Sequence, residues 1–226
     1  MQRPVQPGER APELTLPAIN RDGAVSLSDF RGRRAVMIGF FRGLHCPFCR
    51  RQIAQLGAAQ PALAALGVET IAVVNTPLER AQLYFRYRPT PLILLSDPDC
   101  RTHQMFGIPR IEFVEPADTG PATWPRTRPE DFAAARIDPT GEIGAPTQPM
   151  EANAVLNRKD GFELTAADEA IVAVHAAQFA GQFLVDRDGI VRWCWTEAPT
   201  SANELCRFPS AAEMIEAARG LATLQT

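Results

Sequence analysis

No stretch of the 226 residues approaches the roughly 18 consecutive apolar residues that read as a membrane-spanning helix. The opening MQRPVQPGERAPELTLP also lacks the apolar core of about 7 to 15 residues that marks a secretory leader. The expectation is therefore a cytoplasmic protein with no membrane partner. Charge of one sign is scarce as well. A formal net charge of -3 and a pI near 5.7 give no general drive toward polyanions, so nucleic acid is not an expected partner. There is no second CxxC and no HxxxH to complete a zinc site, and no metal or organic cofactor is expected. The five cysteines form an odd and uneven set, with Cys46 and Cys49 close together and Cys100, Cys194 and Cys206 scattered. That argues against a secreted disulfide framework. No internal repeat is visible.

What is present suits a soluble α/β chain. An apolar fraction of 46% and a charged fraction of 22% allow a sizeable core. The length fits one elaborated domain over residues 1–226. Val25 to Phe30 reads as a short strand and a turn, followed by the polar run Arg31-Gly32-Arg33-Arg34. Ala35-Val36-Met37-Ile38-Gly39-Phe40-Phe41 has the unbroken apolar character of a strand buried on both faces. Ile53, Leu56, Leu63 and Leu66 then fall on one helical face. Gly67 is positioned as the helix stop, and Pro61 is expected to kink or split the helix. Val68 to Val74 completes a strand, helix, strand unit of the length a parallel crossover needs.

Downstream, the pattern predicts a helix over Leu78 to Arg86, a third apolar strand over Pro91 to Asp97, and a short helix from Cys100 to Phe106 stopped by Gly107. From Ile111 to about Leu164 the chain is rich in proline and polar residues, with few periodic patterns. This predicts a mostly irregular insertion, serving as a lid over the site, a dimer contact or a surface elaboration. Thr165 and Asp168 resemble a capping box, with Asp in place of the usual Glu or Gln, before a helix containing Ile171 and Val174. Asp188-Gly189 between two strand-like runs marks a hairpin. Ser210 and Glu213 cap a last helix expected to continue to Gly220.

The motif that carries chemistry is Cys46-Pro47-Phe48-Cys49, at the junction of the first central strand with its helix. A cysteine reacts as thiolate, and an ordinary thiol with a pKa of about 8.5 is only slightly ionised at neutral pH. Unpaired amides and the dipole at a helix N-terminus favour the anion, so Cys46 should gain most. Arg42, His45, Arg50 and Arg51 would add positive charge or hydrogen-bond donors nearby. Cys49, one turn further in, is the natural resolving thiol. This pattern points to thiol-dependent redox chemistry.

Several ordered segments then resemble the peroxiredoxin-like family (alkyl hydroperoxide reductase and thiol-specific antioxidant) of the thioredoxin-fold superfamily. They are Pro7 to Pro17, Ser26 to Gly32, Leu95 to Asp99 and Gln182 to Arg192. The resemblance implies a thioredoxin-like α/β fold, a central mixed sheet flanked by helices, with an N-terminal extension and the 111–164 insertion. It further implies reduction of a hydroperoxide or disulfide substrate, resetting by an external dithiol such as a thioredoxin-like protein, and allows a homodimer. The family pattern Pro-x-x-x-Thr/Ser-x-x-Cys, ended on Cys49, places Arg42 at the proline and Cys46 at the hydroxyl residue, so that frame makes Cys49 the attacking thiol. A thioredoxin-like frame gives that role to Cys46, the choice favoured here because an exposed thiolate at the helix start needs no residue this sequence lacks. Ala180 stands where peroxiredoxins carry a late arginine, and Gly181 and Gln182 stand where thioredoxins carry a cis-proline. Arg42 is a candidate replacement for the missing arginine.

Three readings follow: a peroxiredoxin-like peroxidase using Cys46 and Cys49, a thioredoxin-like disulfide reductase, and a non-enzymatic redox sensor. Cys100 and Cys206 would resolve an oxidised Cys46 only if loops brought them near, and Cys49 makes this unnecessary. His103 and His175 read as structural. Trp193 and Trp195 should share one strand face as packing residues, with Cys194 on the other.

Overall fold

The computed structural model describes residues 3–115, 120 and 122–223. Residues 116–119 and 121 of the expected insertion lie outside the described residues. In chain order the elements are β1 (Thr15–Pro17), β2 (Ala24–Ser26), β3 (Ala35–Phe41), α1 (Pro47–Ala65), β4 (Val68–Val74), α2 (Leu78–Arg86), β5 (Ile93–Ser96) and α3 (Arg101–Met105). Then come β6 (Glu112–Phe113), β7 (Arg126–Thr127), α4 (Pro129–Ala134), α5 (Pro149–Lys159), α6 (Ala166–His175), β8 (Gly181–Val185), β9 (Val191–Thr196) and α7 (Ala211–Thr223).

A five-stranded mixed sheet of order β5-β4-β3-β8-β9 forms the centre. β3 is parallel to β4, and β4 to β5, while β8 runs antiparallel to both β3 and β9. Every residue of β3 is buried, as its unbroken apolar run requires. Phe40, Phe106 and Phe183 meet ring to ring behind it, with centroids 4.6 to 5.9 Å apart. Each such ring contributes roughly 1.5–3 kcal/mol by leaving water. No helix among the described residues is long and apolar enough to cross a membrane.

The parallel crossover, the third strand, the β8–β9 hairpin and the capping boxes at Thr165–Asp168 and Ser210–Glu213 form where the sequence placed them. Gly67, at φ 75°, closes α1 in the left-handed conformation that glycine adopts without strain. Two expectations need correction. Pro61 does not split α1, which runs as one helix from Pro47 to Ala65. Leu63 beyond the proline is fully buried and carries the helix on. Likewise α7 continues past Gly220 to Thr223, held by buried Leu221. The insertion is irregular over more than half of its described residues, as expected, although it also contains α4, α5 and the short parallel pair β6–β7. α5 starts with Pro149 in its first turn, has Glu151 there too, and ends on Arg158 and Lys159, all favourable at those helix ends.

Candidate active site

The site lies at the C-terminal ends of β3 and β4, where open α/β sheets commonly hold their ligands. β3 ends at Phe41, and four residues, Arg42 to His45, carry the chain to Cys46, the N-cap of α1. Gly43 lets this loop press against the end of β4. A Cβ there would stand 2.8 Å from Asn75 Oδ1 and 2.9 Å from the Asn75 carbonyl. The Leu44 amide donates to Thr76 Oγ1 at 3.0 Å, which anchors the loop from the same side.

Cys46 Sγ accepts the Cys49 amide at 3.2 Å, so one of the unpaired donors of the helix N-terminus falls on the sulfur. Burial alone would raise the Cys46 pKa. Hydrogen bonds from the Cys206 and Cys49 thiols, and the charges of Arg42 and His45, instead hold it well below the ordinary thiol range. Cys49 moves the opposite way, raised by burial and by donating to the neighbouring Cys46 anion. The two shifts favour the anion at Cys46 and the protonated thiol at Cys49.

Arg42 is buried, and its guanidinium is clamped by Glu197 through two contacts of 2.8 Å. Nη1 also donates to the Gln178 carbonyl at 3.2 Å, and Nη2 to Cys206 Sγ at 3.3 Å. Glu197 itself accepts the Ala180 amide at 2.8 Å and the Cys206 amide at 2.7 Å. Two features of the resemblance thus meet at one carboxylate: the backbone at Ala180 and the guanidinium of Arg42. His45 is partly buried with its Nδ1 enclosed and unpartnered, and burial lowers its pKa.

A cavity of about 210 Å³ opens beside these groups, lined by Arg42, His45, Cys46 and Cys206 and otherwise mainly by apolar side chains. Cys49 does not line it. The expected exposed thiolate is corrected here, because Cys46 is only 1% exposed and is reached through this cavity. Phe132, Met150, Ala154 and Leu164 of the insertion contribute to the wall. The insertion thus forms part of the wall around Cys46.

Arg50 and Arg51 are not charges aimed at Cys46. Arg50 donates to Asn157 and Asp160 at 2.9 and 2.7 Å, and Arg51 to Glu142 and Asp160 at 2.7 to 3.0 Å. They fasten the insertion to α1. Asn157 returns the link by donating to the His45 carbonyl at 3.0 Å.

Glu197 is the residue sequence reasoning missed, while Cys206, admitted from sequence only if loops brought it near, does line the cavity with Cys46. Glu197 follows directly on β9, and an acidic residue at the end of an apolar strand is a weak sign of burial. Nothing near Cys206 marks it as part of the site. Cys100 and Cys194 do not line the cavity, and His103 packs edge-on against Phe40 as a buried structural residue. Trp195 packs on Phe208, in keeping with a structural role. Among the described residues no cluster of His, Cys, Asp and Glu is arranged to hold a metal ion.

The AhpC/TSA family matches residues 7–143, more than half of the chain. The chain belongs to the AhpC/TSA family. As a member of that family it is supported as a thiol oxidoreductase, and the cavity supplies the thiols. No curated protein matches the sequence. Among solved structures, the chain is similar to the reduced 2-Cys peroxiredoxin of Plasmodium vivax, with a TM-score of 0.58, 14% identity, and 96% of this chain and 97% of that one covered. Peroxidoxin BcpB of Mycobacterium tuberculosis gives 0.56, 13%, 96% and 98%. A chain assigned as the thiol:disulfide interchange protein DsbE of Chlorobium tepidum gives 0.53, 17%, 96% and 98%. At these identities the likenesses establish the AhpC/TSA chain's thioredoxin-type fold.

Proposed function

We propose that this AhpC/TSA protein is a thiol peroxidase for small organic hydroperoxides, with Cys46 as attacking thiolate and Cys49 as resolving thiol. The observation that carries the reading is the position of Cys46: a thiolate favoured at a helix N-terminus, facing an apolar cavity of about 210 Å³ with a buried arginine in its wall. Such a space suits a hydroperoxide with a short apolar tail. A folded protein disulfide would have to displace the insertion to reach the sulfur.

The Cys46 thiolate attacks the terminal oxygen of the hydroperoxide, forming a sulfenic acid and releasing an alkoxide that takes a proton from solvent. Arg42, held by Glu197, faces the developing negative charge. The Cys49 thiol then closes the Cys46–Cys49 disulfide with loss of water, and an external dithiol of the thioredoxin-like class restores both thiols. A cytoplasmic location, where thiols are kept reduced, suits this cycle.

A second reading, a thiol–disulfide oxidoreductase, is favoured by the CxxC pair itself and by alanine at position 180. Stopped-flow thiol loss separates the two. The reduced protein is mixed with tert-butyl hydroperoxide, with a small disulfide, or with insulin. Hydroperoxide oxidation far above the rate of free cysteine, with slow insulin reduction, is the expected result. Hydroperoxide reacting no faster than free cysteine while insulin is reduced quickly would replace the peroxidase by the disulfide reductase.

A further inference from the structure

Cys206 takes no covalent part in the cycle above, yet it lines the same cavity as Cys46. It stands between β9 and α7 with φ 62°, a left-handed conformation that side-chain-bearing residues rarely adopt. Its amide is held by Glu197 at 2.7 Å, and its sulfur meets Arg42 Nη2 at 3.3 Å. The carboxylate that fixes Arg42 beside Cys46 therefore also fixes the backbone that delivers Cys206. A thiol serving only to fill space needs neither a strained backbone nor a guanidinium contact.

We propose that Cys206 is a second resolving thiol, which takes Cys46 from the Cys46–Cys49 disulfide by exchange and presents a Cys46–Cys206 disulfide to the external dithiol. The source of the first disulfide rests on the peroxidase reading, whereas the exchange does not. In the exchange the Cys206 thiolate attacks the Cys46 sulfur. The Cys46–Cys206 bond forms as the Cys46–Cys49 bond breaks, and Cys49 leaves as thiolate and takes up the proton Cys206 released. No net oxidation occurs. The external dithiol then attacks Cys206 through one thiolate, expelling Cys46 as thiolate. Its second thiol closes the external disulfide and releases Cys206.

Two features favour this order. Cys49 is off the cavity, so an attacking thiol approaches Cys46 from the cavity side, with Cys49 as the leaving group behind. In the reduced protein, burial and donation to the Cys46 anion keep Cys206 protonated, while Arg42 acts in the opposite direction. Oxidation of Cys46 removes the anion and leaves the arginine, so Cys206 ionises more readily when it is needed.

The test uses full-length Cys49→Ser, with Cys49→Ala as a second variant should the first fold poorly. Each is equilibrated in glutathione redox buffers, or given one equivalent of tert-butyl hydroperoxide, then alkylated and mapped by mass spectrometry. A Cys46–Cys206 disulfide in the glutathione samples is the expected result. Cys46 found only as its glutathione adduct, with Cys206 free, overturns the proposal. Hydroperoxide failing to oxidise Cys46 while glutathione still yields the Cys46–Cys206 disulfide supports the proposal and removes the peroxidase reading alone.

Discussion

Arg42 and Glu197, 155 residues apart in sequence, form a buried bidentate pair with both contacts at 2.8 Å, and Cys46 and Cys206 line the cavity beside it. Taking one partner from such a pair leaves an uncompensated buried charge, at a cost of about 3–5 kcal/mol. Glu197→Ala is expected to lose stability of that order in urea unfolding. Glu197→Gln, which keeps the shape but not the charge, should lose less. It should also lower the Cys46 pKa further, because Arg42 then acts on the thiolate undivided. An unchanged or raised Cys46 pKa, read from thiolate absorbance, would separate the pair from the chemistry.

The pH dependence of Cys46 follows from the direction of its shift. The reactive form is the thiolate, and the folded pKa lies well below the usual value near 8.5, so the anion persists as pH falls through 8 and 7. Alkylation by iodoacetamide should be nearly flat over that window and fall only as acidity protonates Cys46. Arg42→Gln should move the fall upward. A wild-type rate that drops through pH 8.5 would contradict the assignment.

Cys100 titrates in the opposite direction. Burial pushes its pKa up to about 12, with the Asn75 amide donating to its sulfur at 3.1 Å. A raised folded pKa means the stabilisation is fully present below the unfolded value of about 8.5 and is lost as pH rises from there toward the folded value. Stability should fall by up to about 1.4 kcal/mol per pH unit through this group above pH 8.5. Cys100→Ala should flatten that slope in denaturation curves taken from pH 8 to 10, and a slope unchanged by the substitution would refute it.

Asp160 joins both arginines of α1 to the insertion. Partly exposed ion pairs of this kind are worth up to about 1 kcal/mol each, so Asp160→Asn should shift global stability little. It should instead loosen the cavity wall, making residues 136–165 more sensitive to limited proteolysis and speeding reaction with insulin more than with tert-butyl hydroperoxide. Equal effects on both substrates would mean that the insertion does not control access.

Much of the fold is written in local pattern. The apolar run Ala35–Phe41, the helix face Ile53–Leu56–Leu63 and the capping serine and threonine each state their structure within a few residues. The insertion was harder because its prolines read as breakers, although Pro149 begins α5 at a position where the missing N–H costs nothing. Buried Ala152 and Leu156, four apart, are the trace of that helix in the sequence. Of the candidate site, Arg42, His45, Cys46 and Cys49 were legible because one loop and the first turn of α1 carry them all. Glu197 reaches Arg42, and Cys206 the cavity, through long-range topology, with β9 placed beside β8 and β8 beside β3, and no local pattern encodes that approach.

The choice between Cys46 and Cys49 as nucleophile is the centre of the account. It is tested most directly by trapping the first oxidised sulfur. Cys49→Ser and Cys46→Ser proteins, each also carrying Cys206→Ser to block capture, are mixed with one equivalent of tert-butyl hydroperoxide in the presence of dimedone and mapped by mass spectrometry. Rapid dimedone labelling of Cys46 in the first protein, with no rapid labelling of Cys49 in the second, is the predicted result. Rapid labelling of Cys49 with Cys46 slow would contradict it and make Cys49 the peroxidatic thiol.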